Sequence, residues 1–223
     1  MAGGRRRWTP FERDLRTSIG PLIAGVDEVG RGPLAGPVVA CAVVMPPTAR
    51  PIAGVADSKC LPAAERERLA LLIRRRALAV GVGAASVREI DRLNIYHATV
   101  LAMRRALARL GLHAQHVLVD GKPLRTLGVP HTAIVGGDAR CYSIACASIV
   151  AKVTRDRLMS ALARRYPAYA WTSNAGYGTA EHRRGLDAAG LTPHHRRSFA
   201  PVQQLMLDLA APAPPASLDL ECP

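Results

Sequence analysis

Short apolar runs alternate along this chain with longer segments that have helical periodicity. The runs rich in small and β-branched residues, bounded by glycine, proline or acids, predict strands; they cover residues 23–26, 38–44, 80–86, 117–119 and 132–135. Segments with apolar positions three and four apart predict helices; they cover residues 62–79, 91–110 and 144–165. This order of elements predicts an α/β fold, and the first two strands, joined by a Gly/Pro-rich link, predict a hairpin.

Four acids lie where predicted strands end or loops begin. Asp27 and Glu28 follow the first strand, Asp120 follows the fourth, and Asp138 closes a Gly-Gly-Asp segment after the fifth. Clustered carboxylates raise one another's pKa unless a cation is present, and hard divalent cations prefer carboxylate oxygens. The pattern fits one or two Mg²⁺ or Mn²⁺ ions. The alternative is that Asp27 and Glu28 cap a turn and face water.

The adjacent pair of acids raises a geometric difficulty. Successive residues of a regular strand point to opposite faces, so Asp27 and Glu28 cannot both face one site from ideal geometry. Either the strand ends between them, or one of them contributes through a backbone carbonyl. Asp138 is expected in a glycine-rich loop. Asp156 lies in the middle of a helix beside arginines, which favours a structural ion pair, and Arg155 is expected on the outward face of that helix.

The chain is strongly basic. Its 223 residues contain 30 Lys and Arg against 17 Asp and Glu, giving a formal net charge of +13. Such a balance favours a polyanionic partner such as nucleic acid, with salt-dependent affinity. The alternative is a generally arginine-rich proteome.

The remaining composition excludes several classes of protein. Five cysteines without a CxxC pair predict neither a zinc site nor a disulfide framework, and Cys41 and Cys146 are expected to be reduced core thiols. The sequence has no signal-peptide pattern and no apolar run of about 18 residues. We therefore expect a soluble cytoplasmic protein without a membrane partner, and a monomer.

Several short motifs carry a resemblance to a known family. DEVGRG at residues 27–32 follows an apolar strand, and further motifs come in the same order as in that family. They are DSK at 57–59, VDG at 119–121, GGD at 136–138, ASIVAKVTRDRLM at 147–159, GYGT at 176–179 and HRRSFAPV at 195–202. Over about residues 23–202 the chain resembles the type 2 ribonucleases H, ribonuclease HII.

The resemblance implies a ribonuclease H-like fold, with a mixed five-stranded sheet flanked by helices and a mostly helical C-terminal part. The catalytic domain is expected at residues 21–209. Residues 1–20 form a basic N-terminal extension, an arm or short helix with Trp8 and Phe11 as possible anchors. Residues 210–223 form a Pro/Ala-rich tail that is expected to be disordered.

The implied activity is that of a metal-dependent endonuclease. It would cleave the RNA strand of RNA–DNA hybrids and incise 5′ to a ribonucleotide embedded in duplex DNA, leaving 3′-hydroxyl and 5′-phosphate ends. In this resemblance Asp27, Glu28, Asp120 and Asp138 match the catalytic acids that bind Mn²⁺ or Mg²⁺.

Discrimination of RNA from DNA without sequence preference needs contact with the 2′-hydroxyl. In the family that this chain resembles, a GRG loop and a tyrosine recognise the ribonucleotide at the junction, which assigns this role to Gly30, Arg31, Gly32 and Tyr177. Without the resemblance, Tyr177 would be interpreted as a half-buried core residue. Many relatives have a lysine where this chain has Ala175, so any phosphate contact from that lysine is missing or supplied elsewhere.

Two other functions remain to be separated from this one. The first is a different nuclease or an integrase on the same fold, which would need no contact with a 2′-hydroxyl. The second is a catalytically silent nucleic-acid-binding protein, which would be expected if one of the four acids were replaced. The basic run of residues 194–197 either holds the C-terminal part together or touches the duplex.

Overall fold

The computed structural model describes residues 9–56 and 58–210, with side chains as far as residue 207. Trp8 and most of the N-terminal extension, Asp57 of the DSK motif and the Pro/Ala-rich tail beyond residue 210 lie outside the described residues. Within the described part, no helix is long and apolar enough to cross a membrane.

Five strands form one mixed sheet in the order β3-β2-β1-β4-β5. They are β1 (Ile23–Val29), β2 (Val38–Val44), β3 (Ala79–Ala85), β4 (His116–Asp120) and β5 (His131–Ile134). The first three strands pair antiparallel, whereas β1, β4 and β5 pair parallel. The predicted α/β class, the hairpin and all five strands are confirmed, with strand ends shifted by a few residues.

Helices flank the sheet and build the C-terminal part, as predicted. They are α1 (Pro10–Ser18), α2 (Ala63–Arg76), α3 (Val87–Ala108), α4 (Gly137–Arg140), α5 (Tyr142–Arg165), α6 (Trp171–Asn174), α7 (Ala180–Ala189) and α8 (Ala200–Ala210). Side chains alternate across each strand, so α3 covers one face of the sheet while α2 and α5 cover the other. The expected core thiols, Cys41 and Cys146, are both buried and are not in disulfides.

Helix α3 differs from its prediction in its start and in its continuity. Ser86 and Glu89 form a reciprocal capping box, so the helix begins at Val87 rather than at residue 91. Asn94 has φ 69° and ψ 167°, which interrupts the helix. Its Oδ1 accepts a hydrogen bond from the backbone N–H of His97 and thereby caps the second segment. Apolar periodicity does not detect a break that preserves the buried face.

Helix α1 is joined to the domain by a carboxylate rather than by an aromatic side chain. Glu12 is 1% exposed, whereas Phe11, which was expected as an anchor, is 40% exposed. The Glu12 carboxylate accepts the backbone N–H groups of Tyr142 (3.0 Å) and Ser143 (2.9 Å) and the Ser143 hydroxyl (2.7 Å). These are donors at the start of α5 that need an acceptor. Glu12 therefore caps α5 from about 130 positions away in sequence.

We predict that Glu12→Ala lowers the free energy of unfolding by about 2–4 kcal/mol, because several buried donors lose a charged acceptor. Glu12→Gln should cost less, since one oxygen can still accept. Urea unfolding followed by circular dichroism measures both. The exposed Asp14 on the same helix provides the control, and Asp14→Ala should stay within about 0.5 kcal/mol of wild type. Equal losses at the two positions would contradict the capping role.

Candidate active site

The parallel pairing of β1 with β4 brings two of the predicted acids together. Val26 is opposite Val119 in this pairing, so Asp27, near the carboxyl end of β1, lies beside Asp120, the last residue of β4. Ligands bind at this edge of open α/β sheets. Asp27 is 6% exposed. Its carboxylate interacts with the Ser148 hydroxyl of α5 and accepts the backbone N–H of Glu28 at 2.7 Å.

Glu28 lies inside β1, which continues to Val29, so the strand does not end between the two acids. The Arg31 guanidinium donates to Glu28 Oε1 at 3.1 Å. The other oxygen, Oε2, is buried and has no hydrogen-bond partner among the described residues. The Asp120 charge contributes to raising the pKa of both Asp27 and Glu28.

Asp120 and Asp138 are linked through one backbone group. Asp120 Oδ1 accepts the N–H of Gly137 at 2.6 Å, and Asp138 is the next residue. Asp138 is buried within the short helix α4 rather than in the expected glycine-rich loop. A Cβ at position 137 would lie 2.6 Å from Ile144 Cδ1, so the end of the Ile144 side chain would have to shift to admit any residue other than glycine. Lys59 Nζ lies 3.4 Å from Asp138 Oδ2.

The electrostatic state of the site favours a cation. Burial raises the pKa of Asp27 well above its usual range, and the Glu28 and Asp120 charges add to this, while Ser148 opposes it. Burial also raises the pKa of Glu28 against the opposing effect of Arg31. The oxygen donors, including the unpartnered Glu28 Oε2, fit a hard divalent ion.

The acids do not form a complete metal cage. Across the described ranges 9–56 and 58–207, no group of three or more His, Cys, Asp or Glu side chains is already placed to hold a metal ion. Mg²⁺ usually keeps several waters and takes one or two carboxylates, so a partial set of protein ligands suits it.

A serine pair that the sequence analysis missed supports Asp27. Ser58 Oγ and Ser148 Oγ lie 2.9 Å apart and both side chains are buried. Ser58 belongs to the DSK motif and Ser148 to the ASIVAK motif, so the motifs were the available signal. Their hydroxyl contact could not be predicted, because it joins positions 90 residues apart.

The GRG loop and the GYGT segment meet beside these acids. The backbone N–H of Leu34 donates to the Gly176 carbonyl at 2.8 Å. A Cβ at Gly32 would lie 3.6 Å from Tyr177 Cε1, so that ring borders the loop. Tyr177 is 48% exposed and is not a core residue. The structure therefore brings together Gly30, Arg31, Gly32 and Tyr177, which we call the ribose-contact surface after the role that we propose for it below.

Comparisons with known proteins agree with this geometry. The ribonuclease HII family model matches residues 24–202. A ribonuclease HII of Granulibacter bethesdensis is 56% identical over 205 residues, which cover 90% of this chain and 93% of that protein. The chain belongs to the ribonuclease HII family. It is accordingly a hydrolase, a ribonuclease H with endonuclease activity on the RNA of RNA–DNA hybrids.

Solved structures support the same fold. The ribonuclease H2 of Pyrococcus horikoshii superposes with a TM-score of 0.74 at 25% identity, covering 85% of this chain and 99% of that one. The structure described as Bst ribonuclease HIII in complex with Mn²⁺ gives a TM-score of 0.62 at 20% identity, covering 86% and 71%. The second likeness concerns the fold alone.

Two buried arginines hold the ribose-contact surface of this ribonuclease HII chain. Arg155, which was expected to face outward, is wholly buried because loop carbonyls rather than water satisfy its guanidinium; the acceptors are the carbonyls of Pro37, Ala175 and Ala35. Arg196 is equally buried and donates to the carbonyls of Gly30, Arg31 and Gly36. Of the two roles left open for residues 194–197, Arg196 serves to hold the C-terminal part in place.

Neither arginine has a salt bridge to a carboxylate within the described residues. Burial, followed by the positive charge of Arg155, lowers the pKa of Arg196 to about 9. Two positive charges without carboxylate partners thus lie directly under the GRG loop.

Asp156 does form the predicted structural ion pair, with Lys152 at 2.7 Å.

We predict that Asp27→Asn stabilises the protein in EDTA at pH 7. A raised pKa means that folded Asp27 retains a proton that the unfolded chain has lost, so stability falls as pH rises from about 4 through the folded pKa. Removing the charge should raise the free energy of unfolding at pH 7 by about 1 kcal/mol or more. Thermal unfolding from pH 4 to pH 8 measures this. If Asp27→Asn is the less stable protein at pH 7, the folded protein already compensates the cost of burying the Asp27 charge, and the prediction is wrong.

Proposed function

We propose that Asp27, Glu28, Asp120 and Asp138 bind one or two divalent ions, Mg²⁺ or Mn²⁺, and form the catalytic centre. In this proposal the enzyme cleaves the RNA strand of RNA–DNA hybrids and incises 5′ to a ribonucleotide embedded in duplex DNA, leaving 3′-hydroxyl and 5′-phosphate ends. The observation that carries the proposal is the burial of Asp27 beside Asp120 with a raised pKa. Ribonucleases H depend on divalent metals.

The bound ion would lower the pKa of the attacking water and stabilise the charge that develops on the leaving oxygen. The protein's own contribution is to hold the acids in place. Asp120 is held by the Gly137 N–H, and Asp27 is held by Ser148 and by the backbone of Glu28. The Mn²⁺ complex of Bst ribonuclease HIII, a distant relative in fold, is consistent with Mn²⁺ as one of the ions.

The ribose-contact surface is proposed to select the ribonucleotide. The exposed Tyr177 ring can stack on a sugar or base, and its hydroxyl can bond to a 2′-hydroxyl. The exposed Arg31 can reach a phosphate, and its contact with Glu28 joins this surface to the acids. The two buried arginines add a positive potential under the loop that favours the nucleic acid backbone. Such a surface argues against a nuclease that is indifferent to the sugar.

The proposed activity can be tested with a DNA duplex that carries one ribonucleotide. Incision 5′ to the ribonucleotide is expected with Mn²⁺ or Mg²⁺, is absent in EDTA, and does not occur in the all-DNA duplex. Asp120→Asn should lower kcat by at least about 100-fold, because one carboxylate of the metal site is lost. Gel analysis of the ends measures product chemistry.

Asp187→Asn is the matched control, because Asp187 is an exposed acid on α7, and its activity should equal that of wild type. Equal cutting of both duplexes would favour a general nuclease on this fold. Binding without cutting in either metal would favour a silent nucleic-acid-binding protein.

A further inference from the structure

Two buried histidines meet in the C-terminal part, behind the ribose-contact surface. His182 of α7 and His195 are almost completely buried, and their Nε2 atoms are 3.0 Å apart. His182 Nδ1 lies 2.9 Å from the Tyr177 carbonyl oxygen, and Trp171 Nε1 donates to His182 Nε2 at 3.1 Å. On the far side, His195 Nδ1 accepts the backbone N–H of Thr192 at 2.9 Å.

These partners define where each proton lies. A carbonyl can only accept, so His182 Nδ1 carries a hydrogen; the Trp171 indole can only donate, so His182 Nε2 offers a lone pair. The proton between the two Nε2 atoms therefore belongs to His195. Because His195 Nδ1 accepts from Thr192, that imidazole is neutral as well. One tautomeric arrangement gives each contact a donor and an acceptor, with the single lone pair of His182 Nε2 shared between Trp171 and His195, and both rings are neutral in it.

This chain of hydrogen bonds ends on the backbone of Tyr177. The next residue after His195 is Arg196, whose guanidinium binds the carbonyls of Gly30 and Arg31. Two consecutive residues thus hold both halves of the ribose-contact surface: His195 acts through His182 on the tyrosine side, and Arg196 acts directly on the GRG side. A shift of either contact would change the distance between Tyr177 and Gly32.

We propose that His182, locked in one tautomer by His195 and Trp171, is a positioning residue that sets Tyr177 against the GRG loop and thereby sets discrimination for ribose. The proposal rests on the proposed function of Tyr177 at the ribose. Protonation of His182 Nε2 would place a third N–H group against the two donors that already point at it. The positioning therefore requires both imidazoles to be neutral.

The surroundings of the pair favour the neutral forms. The rings of Tyr169 and Trp171 pack against the two imidazoles. The Thr192 hydroxyl lies within hydrogen-bond distance of His195 Nδ1, and His194 and Arg196 are the neighbours of His195 in the chain. Within the described residues, no hydrogen bond or salt bridge joins either imidazole to a carboxylate. Burial lowers the pKa of His182, and burial, followed by the repulsion that a second protonated imidazole at His182 would exert, lowers the pKa of His195 to about 4.

Two substitutions at position 182 separate positioning from packing. In His182→Asn the amide N–H stands near the place of Nδ1 and can still donate to the Tyr177 carbonyl. In His182→Gln the amide oxygen stands near the place of Nε2 and can accept from Trp171 and His195, but the donor to Tyr177 is lost. We expect kcat/KM on the single-ribonucleotide duplex to fall about tenfold in His182→Gln and to stay within about threefold in His182→Asn.

The same variants are then measured with Tyr177→Ala in a double-mutant cycle. If His182 acts through Tyr177, His182→Gln adds no further loss to Tyr177→Ala. The proposal is overturned if the losses of kcat/KM in His182→Gln and Tyr177→Ala are fully additive. It is also overturned if His182→Asn and His182→Gln lose kcat/KM equally and in proportion to the fall in their melting temperatures. If Tyr177→Ala alone leaves discrimination between ribonucleotide and all-DNA duplexes unchanged, the proposed function of Tyr177 fails first, and this inference fails with it.

A measurement on the wild-type protein does not depend on how the variants fold. Long-range ¹H–¹⁵N spectra of the imidazoles at pH 6 should show both rings neutral, with the proton on Nδ1 of His182 and on Nε2 of His195. A charged ring, or the opposite tautomer at His182, overturns the proposal.

Discussion

The parallel pairing of β1 with β4 is the contact on which the candidate site depends. It places Asp27 beside Asp120 towards the carboxyl ends of two interior strands. It also buries Asp27 against α5, where a charged carboxylate is unfavourable without a cation. The surrounding structure accommodates this cost. Ser148 and the backbone N–H of Gly137 hold the carboxylates by hydrogen bonds, and Glu12 caps the helix that carries Ser148.

The loops of the proposed ribose-contact surface depend on a second constraint, the burial of two cationic side chains without carboxylate partners among the described residues. Arg155 and Arg196 satisfy their donors with carbonyls from loops that are far apart in sequence, so the loops are held at fixed separation. Gly30 shows how close this packing is, because a Cβ there would overlap the Arg155 guanidinium. Gly30 of the GRG motif is therefore required by the arginine beneath it, whereas a Cβ at Gly32 would meet only Tyr177, at an ordinary contact distance.

The sequence predicted the elements whose signal is local. Alternating apolar runs identified all five strands, and motif order identified Asp27 and Asp120, which the pairing of β1 with β4 brings side by side. Arg155, Glu12 and Ser148 were missed or misplaced because their partners lie about 90 to 130 positions away, where periodicity carries no information. Position 155 is in register with the buried Ala151 and Met159, but an arginine there adds no apolar signal to the pattern. The sequence could not decide whether Glu28 lies within β1, because pairing with another strand determines where a strand ends.

We propose that folding buries these acids in a form that a divalent ion completes. Calorimetric titration of Mn²⁺ into the protein at pH 6, in two buffers of different ionisation enthalpy, tests it directly. We expect saturable binding with release of protons from the acids of raised pKa, and loss of that proton release in Asp27→Asn. Unchanged binding and proton release in Asp27→Asn, or no saturable binding to wild type, would contradict the account.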